Sequence, residues 1–316
     1  MEWLYITLGV LGLLVVAIFV LSYVCYRLCF FSKPRKILSE DEIELPLGEL
    51  YDKYSEDIKR WIQEARALNP REYTIKSHDG LTLRGKYYEC NPGGIIEILF
   101  HGYRGSGERD LSAGVERCFA LNRNALIVDQ RASGTSDGST ITFGILERLD
   151  CLKWIDKVIE EFGKDTKIIL TGISMGGATV MLASGMSLPE NVLCILSDCG
   201  YSSNKEIICK IIKEMKLPPR LAYPLLKLGA RVYGRFSLDC DSPEKAVSRA
   251  RVPIIFIHGD TDDFVPYYMS EKCYNACSSK HKRLVKISGA GHGVAYPVDK
   301  ELYVNSLREF QKECGF

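Results

Sequence analysis

Neither sign of charge prevails in this chain of 316 residues: 41 Lys and Arg stand against 40 Asp and Glu, a net charge of +1. Such a balance gives no electrostatic reason to expect nucleic acid or a strongly anionic surface as partner. No internal repeat is visible, which argues against a solenoid. With 27 Gly and 46% hydrophobic residues the composition is ordinary for a globular protein, so disorder is not expected over most of the length. The twelve cysteines include no paired CxxC set with zinc-finger spacing. Several lie in apolar runs, such as Cys194 in VLCILSD and Cys151 in LDCLKWI, and read as free buried thiols, the usage of a reducing compartment.

Charge is missing altogether between Trp3 and Tyr26, a run of about 24 residues. At 1.5 Å per residue one helix of that length crosses the roughly 30 Å hydrocarbon core. A secretory signal peptide would carry a basic start, a shorter apolar stretch and a small-residue cleavage site. Here only Glu2 precedes the run, and Tyr, Arg and Phe follow it, so residues 1–31 read as an uncleaved single-pass anchor. Arg27, Lys33, Arg35 and Lys36 all come after the span and no Lys or Arg before it. The positive-inside rule then puts the rest of the chain in the cytoplasm.

Residues 32–70 read as a linker and an amphipathic helix, with Leu50, Tyr54, Ile58, Trp61 and Ile62 near helical spacing. From residue 71 to 316 strand-like and helical segments alternate. Strands are expected at 73–77, 81–88, 95–100, 125–129, 167–171, 192–197, 253–258 and 283–288. Helices are expected at 143–162, 177–185, 266–277 and 299–314. Runs such as IIEILF and PIIFIHG are apolar on both faces, as a parallel sheet covered on each side demands. The first two strands, joined through SHDG, suit an antiparallel edge. The stretch at about 201–246 interrupts the alternation and is rich in Ile, Leu, Lys and Tyr. It is expected to form a helical cap over the carboxyl ends of the strands, where ligands bind in open α/β sheets.

The sharpest motif is Gly172-Ile173-Ser174-Met175-Gly176, directly after the strand KIILT and before a helical run. In that setting a serine sits on a strained strand-to-helix turn with its hydroxyl thrust outward. A serine hydroxyl needs a base, and His292 in GAGHG follows the last strand. His101 and His258 close strands before glycine, His78 sits in a turn and His281 between lysines. An acidic partner must orient the imidazole. The segment HGDTDDFVP offers three aspartates, of which Asp262 is the choice and Asp263 the second, while Asp260 suits a turn-supporting role. The oxyanion donors expected are the main-chain amides of Met175 and Tyr103, the latter in HGYRGS. Arg104 in the same loop reads as a solvated arginine.

Taken in order, HGYRGS, DQRASGTSDG, GISMGG, SDCGY, HGDTDDFVP and GAGHG resemble the α/β-hydrolase superfamily over roughly residues 70–312. More narrowly, the chain is similar to bacterial membrane-anchored relatives of serine aminopeptidases and prolyl-oligopeptidase-like hydrolases. The resemblance implies a mostly parallel sheet with helices on both faces. It also implies hydrolysis of an ester, thioester or amide through an acyl-enzyme, with no metal and no organic cofactor. An esterase or lipase acting on a small-molecule or lipid-like acyl substrate is the leading expectation. A serine peptidase is the alternative, and a non-catalytic membrane-tethered binding protein a remote one.

Overall fold

The computed structural model describes residues 1–33 and 42–316, so Arg35 and Lys36 of the basic cluster lie outside the described residues. At its centre is an eight-stranded sheet. The strands are β1 (Arg71–Lys76), β2 (Thr82–Tyr88), β3 (Ile96–Phe100), β4 (Asn124–Val128), β5 (Ile168–Ile173), β6 (Val192–Asp198), β7 (Ile254–Gly259) and β8 (Lys282–Ile287). Their order across the sheet is β1-β2-β4-β3-β5-β6-β7-β8. Strand β2 is antiparallel to both neighbours, and every pairing from β4 to β8 is parallel.

Helices α1 (Glu2–Cys29), α2 (Glu49–Asp52) and α3 (Ser55–Ala67) precede the sheet. Helices α4 (Gly107–Ala120), α5 (Glu147–Phe162) and α6 (Met175–Ser184) alternate with the strands. Between β6 and β7 lie α7 (Asn204–Glu214), α8 (Pro219–Val232) and α9 (Pro243–Val247). Helices α10 (Tyr268–Ala276), α11 (Ala295–Val298) and α12 (Lys300–Cys314) complete the chain.

Every residue of β3, β4 and β7 is buried, which is why these strands read as continuous apolar runs. One apolar layer carries Trp154 of α5 and Met181 of α6, and the other carries Val115 of α4 and Phe310 of α12. The exception within β3 is Glu97, fully buried and held by Arg117, by Arg123 at 3.0 Å and by the Thr171 hydroxyl at 2.5 Å. Burial pushes its carboxyl up, but the two guanidinium groups overcome this and hold it at about 2. The pair thus ties α4 to the middle of the sheet.

Helix α1 divides by burial. Residues 1–21 are exposed, whereas Ser22, Tyr26 and Phe30, spaced four apart, are buried. The exposed part alone is about 30 Å long, the thickness of a hydrocarbon core. Among the described residues it is the one helix long and apolar enough to cross a bilayer. The buried stripe packs on α8: Tyr26, Phe30, Leu226, Ala230 and Phe236 share one apolar cluster. Gly229 permits the close approach, since a Cβ there would meet the Ser22 carbonyl oxygen at 2.4 Å.

The 201–246 insertion contributes no residue to the cavity beside Ser174, whose far wall comes from residues 46–61. The insertion shares one apolar cluster with the end of α1 and with Met175 and Tyr103. Gly229→Leu is expected to destabilise the full chain by about 1–3 kcal/mol, because backbone rather than a flexible side chain must yield. Thermal unfolding in detergent micelles measures this; an unchanged transition would contradict the docking of α1 on α8.

Candidate active site

Ser174 occupies the junction of β5 and α6 with φ +56° and ψ −114°, a conformation that a side-chain-bearing residue adopts only under constraint. The constraint is visible. The Ser174 amide donates to the Asp198 carbonyl at 2.8 Å, while its own carbonyl accepts from Ala178 at 3.0 Å. A Cβ on Gly176 would lie 2.0 Å from the Phe100 carbonyl oxygen, so only glycine lets α6 pass that close to β3.

The imidazole of His292, in the loop after β8, reaches Ser174 Oγ through Nε2 at 2.9 Å. Its Nδ1 stands 2.7 Å from Asp262 Oδ2. An ionised carboxylate only accepts, so Nδ1 carries the proton and Nε2 offers its lone pair to the serine hydroxyl. Ser174, Asp262 and His292 therefore meet in one hydrogen-bonded chain, although 118 residues separate the serine from the histidine.

Asp262 is anchored from every side. Its Oδ1 accepts from the amides of Phe264 at 3.0 Å and Val265 at 2.8 Å. Its Oδ2 also faces His258 Nε2 at 3.2 Å, and that nitrogen donates to the Val265 carbonyl at 2.7 Å. Burial raises the Asp262 carboxyl, but hydrogen bonds from His258 and His292 outweigh it and hold the group at about 2. Asp260 instead accepts from the Gly289 amide at 2.7 Å and supports the turn after β8. Asp263 borders the cavity, while the imidazole contacts Asp262.

Met175 is the first residue of α6 and is fully buried. Its amide, like the others in a first helical turn, has no acceptor within the helix. Tyr103 borders the same cavity from the loop after β3. That loop is pinned from inside by His101, which is fully buried: Nδ1 donates to the Gly102 carbonyl at 2.7 Å and Nε2 accepts from the Gln130 amide at 3.0 Å. Burial lowers the affinity of this imidazole for a second proton, consistent with that neutral assignment. Gly102 donates in turn to Asp110 at 3.2 Å.

His101 and His258 are the residues that sequence reasoning passed over. Both stand before glycine at the carboxyl end of a strand, on the rim that carries the site, and that shared position is the signal available. Arg104 is exposed, and its Nη2 also donates to the carbonyls of Leu28 at 2.8 Å and Phe31 at 3.2 Å, at the end of α1.

The cavity beside Ser174 encloses about 540 Å³. Leu47, Leu50, Ile58, Trp61, Phe264 and Val294 supply apolar wall, with Ser174 and His292 also facing it. Among the described residues, two groups of side chains bring potential metal ligands together, Cys199 with Asp262 and His292, and His78 with Asp79 and Asp150. The donors are already committed, since Asp262 bonds His292, and both other aspartates bond Arg131. All twelve cysteines are unpaired.

An eight-stranded, mostly parallel sheet with a strained serine at the turn from β5 into α6 defines an α/β hydrolase. The chain belongs to the prolyl oligopeptidase family, whose family model matches residues 144–315, more than half of the protein. It is similar to the uncharacterized protein YqkD of Bacillus subtilis, 22% identical over 95% of each chain. It is 24% identical to the uncharacterized membrane protein YNL320W of Saccharomyces cerevisiae, over 61% of this chain and 62% of the yeast protein. The fold is shared with the Pyrococcus furiosus esterase Pf2001, at a TM-score of 0.66, 19% identity and coverage of 90% of this chain and 98% of the esterase.

Proposed function

We propose that this hydrolase is a serine hydrolase that works through an acyl-enzyme, with Ser174 as nucleophile, His292 as general base and Asp262 as its orienting partner. The observation that carries the reading is the His292 ring, 2.9 Å from the Ser174 hydroxyl and 2.7 Å from the Asp262 carboxylate. Ser174 Oγ attacks the substrate carbonyl carbon as its proton passes to His292 Nε2. The amides of Met175 and Tyr103 receive the negative charge on the carbonyl oxygen. His292 then protonates the leaving alcohol, thiol or amine, and water, activated by the same ring, releases the acid.

An ester of a lipid-like acyl chain is the preferred substrate. Support comes from the apolar wall contributed by Leu47, Leu50, Ile58, Trp61 and Phe264. The match to the prolyl oligopeptidase family favours a second reading, peptide-bond cleavage. A fluorophosphonate probe is expected to label the wild-type chain at Ser174, and p-nitrophenyl esters to turn over faster as the acyl chain lengthens. Rapid aminoacyl anilide cleavage without ester turnover would replace the lipid reading with the peptidase one.

We also propose that α1 is retained as a single-pass anchor rather than cleaved, because its last turns form part of the core beside α8. Arg27 and Lys33 follow the span, which supports a cytoplasmic catalytic domain. Reporter fusions at residue 40 are expected to read as cytoplasmic; an external signal reverses the orientation.

A further inference from the structure

The last carbonyls of an α-helix have no partner within it and carry the negative end of the helix dipole. At the end of α1 these groups are taken up by the loop beside Ser174. Tyr103 Oη donates to the Cys29 carbonyl at 2.7 Å, and Arg104 Nη2 to the carbonyls of Leu28 and Phe31. Arg104 itself has φ +53°, a left-handed backbone that a branched or long residue rarely takes without external support. The helix end is in turn fixed to the domain. The Ile141 amide donates to the Phe30 carbonyl at 2.8 Å, the Ser32 amide to the Ser139 carbonyl at 2.9 Å, and Phe31 pairs with Thr140 in a β-bridge. The Phe30 ring meets Phe143 and Phe236 edge-on at 5.7 and 5.2 Å, and Tyr103 lies 5.1 Å from Phe143.

The loop is therefore clamped twice. His101, Gln130 and Asp110 hold its inner side, and the terminus of the membrane helix holds its outer side. We infer that α1 is a working part of the active site: through the side chains of Tyr103 and Arg104 its last turn sets the position of the oxyanion loop. Tyr103 and Arg104 are on this account positioning residues, in addition to the Tyr103 amide. The inference rests on the serine-hydrolase reading above. Its chemistry is simple. A donor displaced by a fraction of an ångström still allows the substrate to bind, but no longer meets the oxygen that becomes negative in the transition state.

The test uses the full chain in detergent micelles, with Tyr103→Phe, Arg104→Gln and the double variant. Tyr103→Phe keeps the amide and removes only the hydroxyl. Rates are expressed per serine titrated by the fluorophosphonate, so loss of folded enzyme does not count. The double variant is expected to lose roughly tenfold or more in kcat on a p-nitrophenyl ester, with KM within about twofold. The Ki of a trifluoromethyl ketone, which forms a hemiketal oxyanion on the serine, should rise by the same factor. Arg104→Lys should recover part of the loss.

Unchanged kcat per titrated serine together with an unchanged Ki would overturn the inference. So would a loss confined to the number of titratable sites, since that reports folding alone. Where the double variant gives too few sites to measure, Tyr103→Phe alone decides on the same two readouts. Failure of the wild type to react with the fluorophosphonate is a separate result, and it removes the serine-hydrolase reading itself.

Discussion

Ser174→Ala is expected to lower kcat by about 10⁶, the loss that accompanies removal of the nucleophile from a serine triad. The magnitude follows from the chemistry. Alanine supplies no atom to bond the carbonyl carbon, and water placed there must react without a pre-formed contact to His292 Nε2. On the proposed mechanism binding and the amides of Met175 and Tyr103 survive, so a residual rate of about 10³–10⁴ over the uncatalysed reaction persists. The fold is expected to stay intact, because the hydroxyl's hydrogen bond is to His292 and the backbone constraints on residue 174 come from main-chain bonds and neighbouring glycines. Ester turnover under saturating substrate, with a thermal melt as control, measures both. A fall of less than tenfold in a well-folded variant would take Ser174 out of the nucleophile's role.

Asp262→Asn is expected to cost about 10⁴ in kcat, an effect that comes from the tautomer rather than from lost volume. Three groups point hydrogens at this carboxylate, His292 Nδ1 and the amides of Phe264 and Val265, and His258 Nε2 shares its hydrogen between Oδ2 and the Val265 carbonyl. Asparagine has one acceptor oxygen and an NH₂. The amides of Phe264 and Val265 cannot give up their hydrogens and so hold the asparagine oxygen, which turns the NH₂ toward His292; the relief is for His292 to give up its Nδ1 proton and carry it on Nε2. That form no longer accepts from Ser174.

The same replacement alters acid stability. A carboxyl held at about 2 rather than its ordinary 3.8 binds its proton less readily when folded than when unfolded. Its contribution, about 2 kcal/mol, is complete above pH ~4 and disappears as pH falls through about 2. Urea unfolding between pH 5 and 2 should show that acid-dependent loss in the wild type and not in the asparagine variant. Equal losses in both would mean that the contacts to His258 and His292 do not stabilise the charged form.

The strands were legible where burial is uniform or turns are strongly marked. IIEILF, KIILTG and PIIFIHG become β3, β5 and β7 within a residue or two, because a strand covered on both faces leaves an unbroken apolar run. Glu97 shows the limit. A charge inside such a run is tolerable only where Arg117 and Arg123 arrive from α4 and the turn after it, and nothing local announces that pairing. Phe143 likewise lies inside the stretch expected to be helical, yet it takes φ +56° and α5 starts at Glu147, whose side chain caps the Thr142 and Gly144 amides.

What covers the site was not legible. The 201–246 stretch is apolar enough to be a lid, but apolarity specifies only that a surface must be buried, not against what. It packs on α1 and on Met175 and Tyr103 together, and residues 46–61 line the cavity beside Ser174.

Sequence alone determined the eight strands in their chain order, the serine turn and the apolar length of the first helix. Each of these depends on backbone sterics or on a periodicity that is complete within a few neighbouring residues. Tertiary structure alone decided that His258 braces Asp262, that His101 pins the loop after β3 and that Tyr103 and Arg104 grip the end of α1. Those contacts join groups brought together only when distant elements pack, and shape complementarity and hydrogen-bond satisfaction across that distance leave no local pattern behind.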